Sequence, residues 1–246
     1  MTTDKARVLR GLHVPGRPVV LPNVWDAASA RAVQEAGFAA VATGSAAVAK
    51  VLGYADGEGT PAGEMLAAVA RIARVVDVPV TADVERGYGL KPVELVERLA
   101  ATGAVGCNLE DTDPRTGELV DAAAQAEFLA EVRAAAGRAL VINARVDTYL
   151  HGRTSREEAV ERGRLYLEAG ADCVYPITLA DEDGIQALVG EVGGPVNILF
   201  RLGTPSLGRL AELGVARISF GGGLHQAAHA YAKSLFAKVR DGQSPY

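Results

Sequence analysis

Cysteine, tryptophan and long apolar runs are all scarce in this chain of 246 residues. The two cysteines, Cys107 and Cys173, are far apart, which favours buried reduced thiols over a disulfide or a catalytic thiol. No segment approaches the ~20 apolar residues of a membrane helix, and the N-terminus lacks the apolar stretch of a signal peptide. We therefore expect a cytoplasmic protein that has no membrane partner.

Positive charge is also in short supply, because the formal net charge is −5. No Lys/Arg cluster is dense enough to predict a surface that binds nucleic acid. A small anionic substrate is still compatible with this composition, since the field at a binding site is set locally rather than by the whole chain.

Apolar residues, in contrast, make up 49% of the chain and are arranged in eight short β-rich runs that alternate with helical patterns. The runs are apolar on both faces, as expected for parallel strands covered by helices. Helix starts are marked at Thr60-Pro61, Thr154-Ser155 and Thr204-Pro205, and four helices end at a glycine that precedes a strand. The predicted strands are residues 19–22, 39–44, 78–83, 106–110, 140–145, 173–177, 196–200 and 217–220.

This alternation predicts an α/β protein with a single (β/α)₈ TIM-type barrel domain over residues 1–246. The region before Val19 is expected to form an extra N-terminal helix that caps the bottom of the barrel. A doubly wound open sheet is the competing fold, but the GxGxxG that usually follows its first strand is absent from LPNVWDAAS.

Polar side chains collect where the predicted strands end, and barrel enzymes carry their working residues there. Asp83 and Glu85 end one strand and share a face, with their carboxylates about 7 Å apart. Two such charges need a cation between them, either a metal ion or a basic side chain. Asp56, in a single loop that follows the strand 39–44, and Glu110 are expected to join them. For Asp56 alone, helix capping or arginine pairing is an equally good interpretation.

The donor set of this acidic cluster contains only oxygen, which favours Mg²⁺, with Mn²⁺ as an alternative, over zinc. No lysine lies in a predicted strand, which argues against an imine mechanism that requires a lysine pointing into the barrel. Chemistry in which a metal ion stabilises an enolate is consistent with the remaining residues.

Arg145 ends a predicted buried strand, where an arginine needs a matching negative charge. It could clamp a substrate carboxylate, pair with Glu110 or Asp147, or do both. His225 and His229 are four apart on the last helix, but HQAAH lacks the glutamate of HExxH, so partly exposed helical histidines are the simpler interpretation. His225 could still serve as an acid or base at the mouth. The glycine run 221–223 could bind an anion or form a tight turn.

Five segments together resemble the isocitrate lyase/phosphoenolpyruvate mutase superfamily. The resemblance implies a Mg²⁺-dependent (β/α)₈ enzyme that makes or breaks a C–C or C–P bond beside the carbonyl of a small α-keto acid. It also implies a last helix that is exchanged between subunits of a homodimer or homotetramer. The segments are LPNVWDAASARAVQEAGFAAVATGSAAVAKVLGYADGE, TADVERGYG, GCNLED, INARVD and PVNIL.

The resemblance also implies roles for individual residues. Asp83 corresponds to the principal metal ligand, and three further acids would reach the ion largely through water: Asp56, Glu85 and Glu110. Arg145 corresponds to the clamp on the substrate carboxylate, and it is predicted to be catalytic together with Asp56. The predicted substrate-binding residues are Thr43, Gly44, Ser45, Arg145 and Asn197.

The loop after the fourth predicted strand departs from the superfamily. Isocitrate and methylisocitrate lyases carry KKCGH there, and the C–P enzymes carry a lysine and an asparagine, whereas this chain has DTDPRTGELV with Arg115 as its one cation. We predict that the protein is neither of those two lyases. We expect C–C lyase or decarboxylase chemistry on a small α-keto or 2-hydroxy carboxylic acid. The alternatives are phosphonopyruvate hydrolysis or mutation, and a non-catalytic α-keto acid binding protein.

Overall fold

The computed structural model describes residues 2–153 and 155–246, and this part contains nine strands and ten helices. The strands are β1 (Val19–Leu21), β2 (Asn23–Val24), β3 (Val41–Thr43), β4 (Val80–Asp83), β5 (Gly106–Leu109), β6 (Val141–Val146), β7 (Cys173–Pro176), β8 (Asn197–Leu199) and β9 (Arg217–Ser219). The helices are α1 (Thr2–Gly11), α2 (Ala27–Glu35), α3 (Ser45–Leu52), α4 (Ala62–Ala73), α5 (Pro92–Thr102), α6 (Ala122–Ala136), α7 (Arg156–Glu168), α8 (Glu182–Val192), α9 (Leu207–Glu212) and α10 (Gly223–Arg240).

Parallel pairing links the strands into a ring. Strands β2 to β7 pair in chain order, and β9 lies between β1 and β8. β1 and β2 are two halves of one strand, separated by Pro22, which has no amide proton for the ladder. β1 pairs with β9 and β2 with β3, while a parallel bridge between Val174 and Val196 joins β7 to the residue before β8. The predicted (β/α)₈ barrel is confirmed.

Asn23 connects the strands where the ring closes. Its Oδ1 accepts hydrogen bonds from the amides of Phe220 (2.7 Å) and Gly221 (2.9 Å), and its Nδ2 donates to the Thr43 carbonyl (2.9 Å). Gly221 has a φ of 52°, and the Gly223 amide donates to the Phe220 carbonyl at 3.1 Å. The glycine run 221–223 is therefore a tight turn whose amides are partly used within the protein.

The extra helix α1 closes the N-terminal end of the barrel, as predicted. Leu9 is fully buried in an apolar cluster that includes Val105 and Val141. Arg10 donates from Nε to Asp172 Oδ1 (2.6 Å) and from Nη2 to the Leu140 carbonyl (2.8 Å), both of which lie just before a strand. These contacts fix α1 across the bottom of the barrel.

The sequence prediction is wrong between residues 45 and 52, which form α3 rather than a loop. The segment SAAVAKVL has the alanine and apolar content of a buried helix, and Gly53, at a φ of 87°, ends it. The predicted helix start at Thr154-Ser155 is only half described, because Thr154 lies outside the described residues. Ser155 accepts a hydrogen bond from the Glu158 amide as the N-cap of α7.

The last helix, α10, lies mostly in solvent. Within the described residues, His225 is its one buried side chain, while Tyr231 and Phe236 are 67% and 69% exposed. Among the described residues, no helix combines the length and apolar character needed to cross a bilayer.

Candidate active site

Asp83 lies at the C-terminal end of β4, between β3 and β5. Its backbone amide donates to Thr43 Oγ1 at 2.9 Å, and its Oδ2 accepts from the Ser45 amide (3.2 Å) and hydroxyl (3.1 Å). Its other oxygen, Oδ1, is buried and has no hydrogen-bond partner among the described residues. One oxygen of Asp83 is thus fixed, and the other is available to a ligand.

The predicted substrate-binding segment of Thr43, Gly44 and Ser45 lies directly beside Asp83. Ser45 is the first residue of α3, so its amide is one of the helix N-terminal donors that have no partner within the helix. The Gly44 amide donates to the Val24 carbonyl at 3.3 Å. In the structure these groups hold Asp83 and the strands, and their contact with a substrate stays a prediction.

Arg145, at the end of β6, contacts both of the acids that the sequence suggested as its partners. Its Nε and Nη2 donate to the two oxygens of Asp147 at 2.6 and 2.8 Å, and its Nη1 lies 2.6 Å from Glu110 Oε2. A guanidinium has five N–H donors, and these contacts use three. Arg145 can therefore pair with both acids and still offer two N–H groups to a substrate carboxylate.

A buried polar network stands behind Arg145. Thr112 donates its hydroxyl to Asp147 Oδ2 (2.6 Å), and the Asp147 amide donates to Asp111 Oδ1 (2.9 Å). Asp111 Oδ2 accepts from Arg162 Nη1 (3.0 Å) and from the Tyr166 hydroxyl (2.7 Å). Sequence reasoning missed Arg162 and Tyr166, although their spacing of four residues on a predicted helix puts them on one face. The network fixes the orientation of Arg145.

Glu85 and Asp56 lie in two neighbouring loops at the mouth. Both oxygens of Glu85 accept hydrogen bonds, one from the Tyr88 hydroxyl at 2.7 Å and one from the Glu58 amide. Burial raises the pKa of the Glu85 carboxyl to about 7, although these two hydrogen bonds act in the opposite direction. Partial desolvation and the charge of Asp83 raise the pKa of Asp56, and the Ser45 hydroxyl and Arg145 partly counter that shift.

Negative charge exceeds positive charge at this mouth. Burial raises the pKa of Glu110, and the guanidinium of Arg145 opposes the shift. Asp147, Asp83 and Glu85 add further repulsion to Glu110. One guanidinium thus serves several carboxylates, and a cation bound among them would relieve their repulsion.

The donor set fits a hydrated Mg²⁺ ion. In the described part of the chain, no three His, Cys, Asp or Glu side chains are grouped closely enough to enclose a bare metal ion. Mg²⁺ keeps several of its waters and often binds through only one or two carboxylates, whereas zinc prefers a tetrahedral set with nitrogen or sulfur ligands. The free Oδ1 of Asp83 is a candidate for a direct ligand, and Asp56 and Glu110 are near enough to Asp83 for its charge to raise their pKa values.

Two other candidates differ in their surroundings. Asn197 is fully buried at the start of β8, where its Oδ1 accepts from the Ser219 hydroxyl at 3.3 Å and its Nδ2 is unpaired within the described ranges.

His225 is only 5% exposed and stacks edge-on against Trp25, with 5.0 Å between the ring centroids. The interpretation of His225 as a partly exposed helical histidine is therefore wrong, whereas His229 is exposed.

The loop after β5 forms a small closed hairpin. Thr112 and Leu119 form an antiparallel bridge, and the Asp113 amide donates to the Glu118 carbonyl at 2.9 Å. Arg115, the one cation that the sequence offers here, is 85% exposed and pairs with Asp113 of the same turn at 2.9 Å. From this hairpin, Thr112 turns toward the site, where it supports Asp147.

Comparison with known proteins agrees with this geometry. The family model described as phosphoenolpyruvate phosphomutase matches residues 9–240. An uncharacterised protein of Mycobacterium tuberculosis is 36% identical over 225 residues, covering 89% of this chain and 85% of that protein. Oxaloacetate decarboxylase 1 of Pseudomonas fluorescens is 31% identical over 235 residues, covering 89% of this chain and 78% of that enzyme.

A solved structure of the same superfamily has a similar fold. The crystal structure of a phosphonopyruvate hydrolase in complex with oxalate and Mg²⁺ superposes with a TM-score of 0.87 at 27% identity, covering 97% of this chain and 88% of that one. Because the family model and the relatives each span most of the sequence, the chain belongs to the phosphoenolpyruvate phosphomutase family, within the isocitrate lyase/phosphoenolpyruvate mutase superfamily of enzymes.

Proposed function

We propose that this protein is a Mg²⁺-dependent enzyme that cleaves a C–C bond beside the carbonyl of a small α-keto or 2-hydroxy carboxylic acid, as a lyase or decarboxylase acting through an enolate. The observation that carries the proposal is the free, buried Oδ1 of Asp83 at the same mouth as Arg145, which has two spare N–H groups. When bound, Mg²⁺ polarises the carbonyl oxygen and stabilises the negative charge that develops on it.

The surrounding residues orient the substrate. Asp83 would hold the ion directly, with Asp56 and Glu110 acting through water. Arg145, kept rigid by its two bonds to Asp147, would receive the substrate carboxylate. Asn197 Nδ2 has no hydrogen-bond partner among the described residues, so it is a further donor for a substrate oxygen.

Decarboxylation is the reaction that this residue set favours. Loss of CO₂ from a β-keto acid leaves an enolate that can take its proton from water, so no side chain has to act as a base. Cleavage of a 2-hydroxy acid requires a base for the hydroxyl proton, and Thr112, the residue of the β5 hairpin that bonds to Asp147, is not a base. The similarity to an oxaloacetate decarboxylase supports oxaloacetate as the first substrate to test.

A substrate panel tests the proposal. Oxaloacetate, isocitrate, 2-methylisocitrate, citramalate and phosphonopyruvate would each be incubated with and without Mg²⁺ while pyruvate, glyoxylate and phosphate are measured. We expect Mg²⁺-dependent pyruvate release from oxaloacetate above the rate with metal alone. Phosphate from phosphonopyruvate would instead indicate C–P chemistry. Tight Mg²⁺-dependent oxalate binding without any product would indicate a binding protein.

A further inference from the structure

Two loops at the mouth are joined by two hydrogen bonds, and a third hydrogen bond within one loop supports them. The first loop, residues 53–61, carries Asp56, and the second, residues 84–91, carries Glu85. The Glu85 carboxylate accepts from the Glu58 amide of the first loop and from the Tyr88 hydroxyl of its own loop. The Glu58 carboxylate in turn accepts from the Tyr88 amide at 2.6 Å. We call Glu58, Glu85 and Tyr88 the loop clasp.

The backbone of the loop clasp has an unusual conformation. Glu58, Glu85 and Tyr88 have φ angles of 59°, 50° and 58°. They are three of the four non-glycine residues with positive φ in the described ranges. This left-handed region is unfavourable for L-residues with side chains and persists where surrounding contacts enforce it. The strain at these three positions indicates that the contacts of the loop clasp determine the path of both loops.

Both ends of the Asp56 loop are anchored. Tyr88 packs against the apolar cluster of Val48, Met65 and Ala68, which holds its hydroxyl in position. At the other end, the Tyr54 hydroxyl donates to Glu64 of α4 at 2.8 Å. Asp56 lies between these anchors, so its position at the mouth depends on them.

Glu85 differs from Asp83 in how its carboxylate is used. Asp83 has one oxygen without a partner among the described residues, whereas each oxygen of Glu85 already accepts a hydrogen bond from the protein. A side chain one methylene longer than aspartate can reach across to the Glu58 amide. We propose that Glu85 is a positioning residue that holds the Asp56 loop at the metal site, and not a ligand of the ion.

This inference rests on the proposed function only in assuming that Asp56 serves a metal ion. The test compares wild type, Glu85→Gln, Glu85→Ala and Tyr88→Phe by two measurements. Hydrogen exchange of the amides in residues 54–60, without metal, reports on the loop. Calorimetric Mg²⁺ affinity reports on the ion site, with Asp83→Asn as the reference for loss of a ligand charge.

Glutamine at position 85 can still bridge the loops, because its amide oxygen accepts from Glu58 and its amide nitrogen donates to the Tyr88 oxygen. We expect Glu85→Gln to keep the exchange rates and the Mg²⁺ affinity within about threefold of wild type. Glu85→Ala should accelerate exchange at least about tenfold and weaken Mg²⁺ binding to a similar extent. Tyr88→Phe, which removes a single oxygen, should produce a smaller change in the same direction, and it tests the link if Glu85→Ala does not fold.

The proposal is overturned if Glu85→Gln weakens Mg²⁺ binding as strongly as Asp83→Asn while the loop stays protected. Unchanged exchange of residues 54–60 in both Glu85→Ala and Tyr88→Phe would also overturn it. Absence of Mg²⁺ binding by the wild type would count against the proposed function instead, and the exchange measurement would still decide whether Glu85 holds the loop.

Discussion

At the residue scale, the two carboxylate oxygens of Asp83 have different roles. Its Oδ2 is held by Ser45, while its Oδ1 has no partner in the described ranges. This arrangement orients a carboxylate toward a ligand before the ligand arrives, which reduces the entropy lost on binding.

We expect Asp83→Ala to weaken Mg²⁺-dependent oxalate binding at least about 100-fold, because the carboxylate that we propose as the direct ligand is lost. Calorimetry with oxalate, with and without Mg²⁺, measures the effect. Asp113→Ala, which removes a carboxylate paired with Arg115 in the β5 hairpin, is the matched control and should change affinity less than about twofold. Retained Mg²⁺-dependent binding by Asp83→Ala would rule out the metal assignment.

Arg145→Lys should keep the charge but lose the planar fork that bonds both oxygens of Asp147. We expect oxalate affinity in the presence of Mg²⁺ to fall at least about tenfold, with a loss of about 1–3 kcal/mol in the free energy of unfolding. Isothermal titration and urea unfolding measure the two effects. Arg115→Lys in the exposed hairpin should leave both unchanged, and an unaffected Arg145→Lys would show that the clamp lies elsewhere.

At this scale the sequence predicts the position of residues at strand ends, but it does not predict contacts that depend on tertiary packing. Asp83, Glu110 and Arg145 follow from barrel geometry, because every parallel strand ends at the same rim. Tyr88 and Glu58 could not be predicted as partners, because the path of each loop depends on contacts with the other. Arg162 and Tyr166 lie on a helix whose rotation relative to Asp111 is set by the packed core.

At the scale of the elements, a buried histidine after α1 makes the stability of the protein depend on pH. His13 follows this helix and is 7% exposed. Its Nδ1 lies 2.8 Å from the Leu9 carbonyl oxygen. A neutral ring would donate from Nδ1 and leave Nε2, which has no partner among the described residues, unprotonated. Burial, with a contribution from the charge of Arg217, lowers the pKa of His13 to about 4.

The unfolded chain takes up a proton at His13 near pH 6.5, whereas the folded chain does so only near pH 4, so stability is lost as the pH falls between these values. His13 alone should lower the free energy of unfolding by about 3 kcal/mol over this pH range. Urea unfolding of wild type and His13→Asn at pH 7 and pH 4 tests it, since asparagine can keep the bond to Leu9. Equal pH dependence of the two proteins would contradict the assignment.

Element prediction depended on how clearly each boundary was marked. The strands were found because a glycine-ended helix precedes several of them, as at Gly103 and Gly214, both in the left-handed region. The helix α3 is hard to predict because it begins directly after β3, and its N-cap, Gly44, makes no side-chain capping hydrogen bond. Pro22 divided the first strand without changing its place in the ring.

At the scale of the whole molecule, α10 has large aromatic side chains that a single copy leaves exposed. Tyr231 and Phe236 are largely exposed on this helix of 18 residues. Exposed aromatic side chains on one helix are typical of an interface, and the superfamily resemblance implies helix exchange. We propose that α10 packs against a second copy of this chain.

Light scattering coupled to size exclusion tests this assembly. We expect the wild type to be a dimer or larger, and Tyr231→Glu combined with Phe236→Glu to dissociate it, because both changes bury charge at the interface. Leu202→Glu, at a fully exposed leucine outside α10, is the control and should not change the mass. A monomeric wild type would contradict the proposal.

The hydrogen bonds of Asn23 that connect the first and last strands of the ring also bear on how the protein folds during synthesis. Asn23 is near the beginning of the chain, and its partners Phe220 and Gly221 are near the end. During synthesis, Asp83, Glu110 and Arg145 therefore leave the ribosome long before β9 can pair with β1. Until the segment that forms β9 has been made, β1 lacks its neighbour on that side, and an unpaired strand edge is prone to pair with other chains. Slow translation of the segment before Arg217 would lengthen the period of exposure and lower the yield of native enzyme.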